Sequence, residues 1–199
     1  MAVIVSKGIV VPYYGPPVGT IWLYEDNGTF VVPADGIYQV EMHGGGGGAT
    51  ERGVYNGSTG FNFDCCTGGG SGELYEVTLT EGESISITIG AGGAYTTSND
   101  YSYSVGGTGG ATTFGDLSIA GGRGGSSSGP SGGAASGSLA TAGTWWSGDH
   151  SIRSLAGGQG NKNNTAQTYG DGGYYDGSNS TISRNGQSGA VIITFKGVA

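Results

Sequence analysis

Five consecutive glycines at residues 44–48, followed by further glycine clusters as far as residue 189, constrain this chain more than any other feature. An interior Gly costs a helix about 1 kcal/mol against Ala. No window of about eleven residues holds an i, i+3, i+4, i+7 apolar stripe free of Gly, so essentially no α-helix is expected. With 46 Gly in 199 residues, composition alone would suit a low-complexity chain, and the case for folding has to come from the segments between the clusters.

Those segments alternate. Ile85, Ile87 and Ile89 interleave with Ser84, Ser86 and Thr88, which in a strand places the three isoleucines on one face. Val191, Ile193 and Phe195 repeat the pattern. So do Tyr38, Val40 and Met42 opposite Gln39, Glu41 and His43, and Tyr75, Val77 and Leu79 opposite Glu76 and Thr78. Asp26-Asn27-Gly28 and Glu81-Gly82 supply residues that tolerate positive φ where strands are expected to reverse into hairpins. The chain reads as all-β, and 199 residues suffice for one domain with its own core.

The glycines have a period of their own. Gly90 and Gly93, Gly106 and Gly109, Gly107 and Gly110, Gly121 and Gly124, Gly122 and Gly125, Gly129 and Gly132, Gly157 and Gly160, Gly170 and Gly173, and Gly186 and Gly189 are each three apart, as are Gly69 and Gly72. Three residues per turn is the polyproline II period, and that helix has no internal hydrogen bonds. It can be buried only where neighbours satisfy its N–H and C=O groups, and a missing Cβ permits that approach. The repeats are too short and too poor in Pro for collagen. The expected fold is an antiparallel β-sandwich with a packed layer of polyglycine II helices; flexible surface linkers are the competing reading of the same glycines.

Charge and composition narrow the function. The formal net charge is −8 and the pI about 4.4, with scattered acids, which argues against nucleic acid as a partner. The first residues lack a basic segment, a long apolar stretch and a cleavage site, and no apolar run reaches bilayer length, so cytoplasmic synthesis without membrane insertion is expected. Cys65 and Cys66 are adjacent and read as reduced thiols in a loop. His43 and His150 stand apart without spaced partner ligands, so neither a metal nor a cofactor is expected. No phosphate-loop motif occurs. Ser147, Asp149 and His150 are neighbours in sequence, but a triad is arranged in space, and no nucleophile and base are assembled; the expectation is a non-enzyme with no catalytic residues.

Between the glycine segments lie excursions rich in aromatics: Tyr55, Phe61 and Phe63; Tyr95, Tyr101 and Tyr103; Trp145 and Trp146 with His150; and Tyr169, Tyr174 and Tyr175. Their companions are Ser, Thr, Asn, Asp and Gly. Tyr and Trp give rigid contact area while small polar residues give adaptable hydrogen bonds, the composition of a recognition surface. All of these aromatics except Tyr169, together with His150, are the candidate receptor-binding residues. Plugging the ends of a thin bundle is the alternative use for any one of them.

The motif order Phe30-x-Val32-Pro33, Tyr38-x-Val40-x-x-x-Gly44-x-Gly46, Gly82-x-x-Ile85-x-Ile87-x-Ile89-Gly90-x-Gly92-Gly93, Thr113-Phe114-Gly115 and Gly186-x-x-Gly189-Ala190-Val191-Ile192-Ile193 resembles the glycine-rich domain at the tip of bacteriophage tail fibres. It is also similar to the extracellular glycine-rich region of anaplastic lymphoma kinase family receptors. The resemblance implies a jelly-roll or tumour-necrosis-factor-like sandwich with polyglycine II helices. It further implies a tail-fibre tip adhesin of the virion that binds a bacterial surface protein or glycan through loops between glycine motifs. Other phage tail or virion proteins would be partners, and a homo-oligomer, with a trimer favoured, would add avidity. Residues 1–24 are expected to form an N-terminal attachment or oligomerisation segment and residues 25–199 the glycine-rich domain. A structural virion or surface-decorating protein without receptor binding is the alternative, and a free protein acting at an interface such as ice a third.

Overall fold

The computed structural model describes residues 3–6, 9–12, 15–48, 50–52, 54–55, 61–62, 66–68, 70–98, 106–125, 153–155, 169–170, 172–173 and 185–199. Eight strands form its body: β1 (Ile21–Tyr24), β2 (Gly28–Val31), β3 (Gly36–His43), β4 (Gly72–Leu79), β5 (Ser84–Thr88), β6 (Thr112–Phe114), β7 (Leu117–Ile119) and β8 (Ala190–Gly197). One antiparallel sheet runs in the order β4-β3-β8-β1 and a second in the order β7-β6-β5-β2. The described residues contain no helix. The chain is all-β and sandwich-like, as its alternating segments required.

The alternation places the core. Tyr38, Val40 and Met42 of β3 and Val191, Ile193 and Phe195 of β8 are fully buried, facing Phe30, Ile85, Ile87, Phe114 and Ile119 of the second sheet. Tyr38 fits because its hydroxyl donates to the Ala34 carbonyl at 2.7 Å, so no polar atom is left unpaired inside. Its ring lies 5.1 Å from Phe195 and 5.8 Å from Phe30, whose ring in turn is 5.3 Å from Trp22.

One expectation needs correcting. Asp26-Asn27-Gly28 and Glu81-Gly82 do not close hairpins. Each turn joins strands of different sheets, β1 to β2 and β4 to β5, so the chain arches over the core instead of folding back beside itself. Gly82 does take φ of +80°, so the turn chemistry was right and the partner wrong. The tight hairpin is at Gly115, φ +55°, between β6 and β7. Ile21–Tyr24 is the edge strand of the first sheet, in register with Val191 to Thr194, and Trp22 and Tyr24 pack on the core.

The glycine segments bond in a way no sheet does. The Gly45 and Gly48 amides donate to the Gly110 and Gly107 carbonyls, while the Gly45 and Gly48 carbonyls accept from Gly122 and Gly125. Between them, Gly46 bonds Gln187 and Gly93, Gly47 accepts from Gly173, and Gly44 donates to Ser71. Residues 44–48 thus have six neighbouring segments around them. The same step of three recurs where Gly106 and Gly109 donate to Gly125 and Gly122, and where Gly186 and Gly189 donate to Gly93 and Gly90. A strand's period is two and it has two ladder neighbours, so this layer is extended backbone bonded in three directions.

The missing side chains explain the packing. A Cβ on Gly44, Gly45, Gly47 or Gly48 would overlap a carbonyl oxygen of a neighbouring segment, and all five glycines of the run are buried. None of them has positive φ; glycine is present here for close approach and not for an unusual conformation. The surrounding segments carry a side chain at every third residue, and those point outward: Ala91 and Ala94, Thr108 and Ala111, Ala120 and Arg123, and Asn185 and Ser188 are all exposed.

Candidate functional site

The layer has two ends. At one it continues into the sandwich: Thr112, fully buried, donates its hydroxyl to the His43 carbonyl at 2.7 Å and accepts from the Gly90 amide at 3.0 Å. At the other, the chain leaves the layer after Gly48, Ala94, Gly125 and Gly173 and re-enters it at Gly106 and Asn185. These residues share a level, since Gly48 bonds Gly107 and Gly125, Gly47 bonds Gly173, and Gly186 bonds Gly93. Excursions 49–69, 95–105, 126–168 and 174–184 therefore all begin at this outer end. The sandwich turns at Pro17 to Thr20, Glu81-Gly82 and Gly115-Asp116 lie at the opposite end, because β1, β5, β6 and β8 run between the two.

Short ladders tie excursions together. Thr50–Arg52 pairs in parallel with Thr96–Ser98, prolonging the course that brings Gly45 beside Ala91 and Gly48 beside Ala94. Cys66–Gly68 pairs in parallel with Arg153–Leu155, and Val54–Tyr55 pairs antiparallel with Phe61–Asn62. Tyr55 and Phe61 are thus direct register partners, and the first excursion is joined to the second and the third.

Tyr95 is half-buried at the rim, where its amide donates to the Asn185 side-chain oxygen at 2.7 Å and locks a departing segment to a returning one. Of the other candidates, Tyr55 and Phe61 are placed by strand register alone, and Phe63, Tyr101, Tyr103, Trp145, Trp146, His150, Tyr174 and Tyr175 lie outside the described residues. So does the Cys65 thiol.

Tyr169 belongs elsewhere. Its hydroxyl donates to Glu25 Oε1 at 2.6 Å and its ring lies 6.2 Å from His43, at the sandwich end of the layer. The Glu25 hydrogen bond, then loss of solvent and the Glu25 charge, hold its phenol above the ordinary range. His43 is on the outer face of the first sheet, away from Val40 and Met42 as expected, with Nε2 2.6 Å from Glu41 Oε1. Glu25, Tyr169 and His43 fasten the third excursion's return to the sandwich, where Gly170 also donates to Ser188 and accepts from Gly70. Sequence composition grouped Tyr169 with Tyr174 and Tyr175; Gly170, the αL residue beside it with φ +74°, marks where the chain turns back into the layer.

Charge divides along the same axis. The sandwich and its turns hold nine of the fifteen acids, from Glu25 and Asp26 to Glu83 and Asp116, against Lys196, whereas Arg52, Arg123, Arg153, Lys162 and Arg184 fall in the layer and excursions. By sequence position, most of the net negative charge belongs to the sandwich segments, and the layer and excursion segments together are close to balanced. Among the described residues no group of three potential metal ligands occurs, and there is no helix long and apolar enough to cross a membrane.

A family model described as a glycine-rich domain matches residues 25–195. No curated protein and no solved structure matches the chain.

Proposed function

The chain belongs to the glycine-rich domain family, and from that premise we propose that it is a tail-fibre tip adhesin, a non-enzymatic module that binds a bacterial surface protein or glycan. The observation that carries the reading is topological: excursions rich in Tyr, Trp, Ser and Asn all begin at one end of a backbone-bonded layer, away from the sandwich turns. A rigid frame that collects variable loops at one end is how loop-borne recognition is commonly built. We read the layer itself as polyglycine II helices, on its three-residue bonding step and the six segments around residues 44–48. A stiff frame adds no ordering cost of its own when the loops bind.

Electrostatics supports the same orientation. A cell surface rich in phosphate and carboxylate repels an acidic protein, and here nine of the fifteen acids belong to the sandwich segments, while the layer and excursion segments taken together are nearly neutral in sequence. Other tail or virion proteins would hold the sandwich end, and several copies on one particle would turn weak single contacts into avidity.

The test is binding of the fluorescently labelled full chain to a panel of bacterial cells, with Trp145→Ala plus Trp146→Ala as the variant. Binding to some strains, reduced by about tenfold or more in the variant at an unchanged melting temperature, supports the adhesin. No binding to any strain, with antibody label along a capsid or shaft, favours the structural decoration protein. A collapsed melting temperature assigns the two rings to packing.

A further inference from the structure

Ile89 to Tyr95 carries the chain from the end of β5 through the layer to the start of the second excursion. Along it the Ile89 amide donates to Asn27 Oδ1 at 2.7 Å, Gly90 to the Thr112 hydroxyl at 3.0 Å, Gly93 to the Gly46 carbonyl and Tyr95 to Asn185 Oδ1 at 2.7 Å. An asparagine side chain therefore closes each end of the segment. Asn27 acts where strand becomes layer, and Asn185 where layer becomes excursion.

Three excursions meet at Asn185. Gly189 donates to Gly90 and Gly186 to Gly93, so the returning course 185–189 runs antiparallel to 90–94. Beside Gly186 the fourth excursion comes back, and there the Asn185 side chain reaches the residue at which the second departs. Thr96, next along, opens the parallel ladder of Thr96–Ser98 with Thr50–Arg52 of the first excursion. One side chain thus ties the fourth excursion to the second, at the foot of the ladder that ties the second to the first. Asn185 is exposed, and a single neutral hydrogen bond adds little to global stability. The bond is too small to hold the layer together, and large enough to bias the direction in which two segments leave it.

We propose that Asn185 is a positioning residue of the excursion end: through the Tyr95 amide it fixes the first, second and fourth excursions relative to one another, so that they present one arrangement to a ligand. What the arrangement serves rests on the recognition reading; the arrangement itself does not. Loops already held together at their feet have less freedom to lose on binding, which is where the affinity comes from. Asn185→Ala removes the acceptor and leaves in place the backbone bonds of the layer, including Gly186 to Gly93 and Gly189 to Gly90. Asn185→Asp keeps an oxygen that accepts from the same amide.

Hydrogen exchange of the full chain, the natural sequence against Asn185→Ala and Asn185→Asp, tests this without any ligand. In Asn185→Ala the Tyr95 amide, and with it the ladder residues Thr96–Ser98, are expected to exchange about threefold to tenfold faster, the worth of one hydrogen bond. Gly45, Gly48, Gly107 and Gly110 in the layer should keep their rates and the melting temperature should hardly move. Asn185→Asp should restore most of the protection at Tyr95. An unchanged Tyr95 rate in Asn185→Ala overturns the proposal, as does a loss as large in Asn185→Asp, or one that spreads to the layer glycines and so makes the residue part of the frame. Binding to a bacterial strain that takes up the labelled natural chain is the second readout: Asn185→Ala is expected to bind about threefold to tenfold more weakly, with Asn185→Asp nearer the natural chain. Equal binding despite faster exchange removes the role in recognition. If no strain binds the natural chain, the adhesin reading fails, and the exchange rates alone decide whether Asn185 positions the excursions.

Discussion

Glycine acts in this chain through two different physical effects, and substitutions separate them. At Gly92 a Cβ would overlap the carbonyl of Gly186, and at Gly124 that of Gly106; in both cases the obstacle is backbone, which cannot rotate away. Gly92→Ala and Gly124→Ala are each expected to cost about 3 kcal/mol or more, the upper range of overpacking, read as a shift in urea midpoint. Gly82 has open space around it but φ of +80°, so Gly82→Ala is expected to cost only about 1–2 kcal/mol and Gly82→Asn less. Equal losses at the three sites would mean that the layer yields to side chains. Tyr169 makes a different residue-scale prediction. Its phenol, held above the ordinary 10.0 by Glu25, is stabilising as the neutral donor. That contribution is complete below pH 10 and disappears as pH rises through the raised value. The stability gap between the natural chain and Tyr169→Phe should therefore be flat at neutral pH and close in alkali; a gap that widens there would contradict the Glu25 bond.

At the scale of elements, Thr112 joins the sandwich to the layer. Its buried hydroxyl serves both the His43 carbonyl and the Gly90 amide. Thr112→Val keeps the shape and strands both groups, and about 1–3 kcal/mol of stability should go with them; Thr112→Ser should restore most of it. Loss as large in the Ser variant would put the effect in packing. Ile193→Ala, in the centre of the core, is expected to cost about 2–5 kcal/mol. The strands were legible because period-two alternation is a property of single segments, and Tyr38, Val40 and Met42 or Val191, Ile193 and Phe195 show it without reference to anything else. The arches were not legible: Glu81-Gly82 looks the same in sequence whether the next strand pairs alongside or crosses the core. The sheet of Ile21–Tyr24 was not legible either, since four residues with no counterpart in local pattern reveal it only through β8. The layer's period was visible in the spaced glycines. The central place of residues 44–48 was visible too, though unread: an unbroken run is needed only where every residue faces a neighbour, while peripheral segments can keep Ala91, Ala94, Ala120 or Arg123 on their free side.

For the whole molecule, the question is whether the layer is a separate appendage or one body with the sandwich. Its bonds favour one body. Ser71, which leads into β4, accepts from Gly44 and donates to Ala120, and Gly189, which leads into β8, donates to Gly90. Opening the layer would expose these groups together with Thr112 and the ends of β3 and β8, so layer and sandwich should unfold in a single step. Native-state hydrogen exchange measures this. The amides of Gly45, Gly48, Gly107, Gly110, Gly122 and Gly125, all bonded within the layer, are expected to exchange with the same opening free energy as Val40 and Ile193 in the sheet. Added urea should lower both with one slope, since a common opening exposes a common surface. Fast exchange at these glycines would make them linkers and remove the rigid frame on which the recognition reading depends. Protection with a smaller free energy and a shallower slope would make the layer a sub-domain that opens alone, and the excursions would then move with it while the sandwich stayed folded.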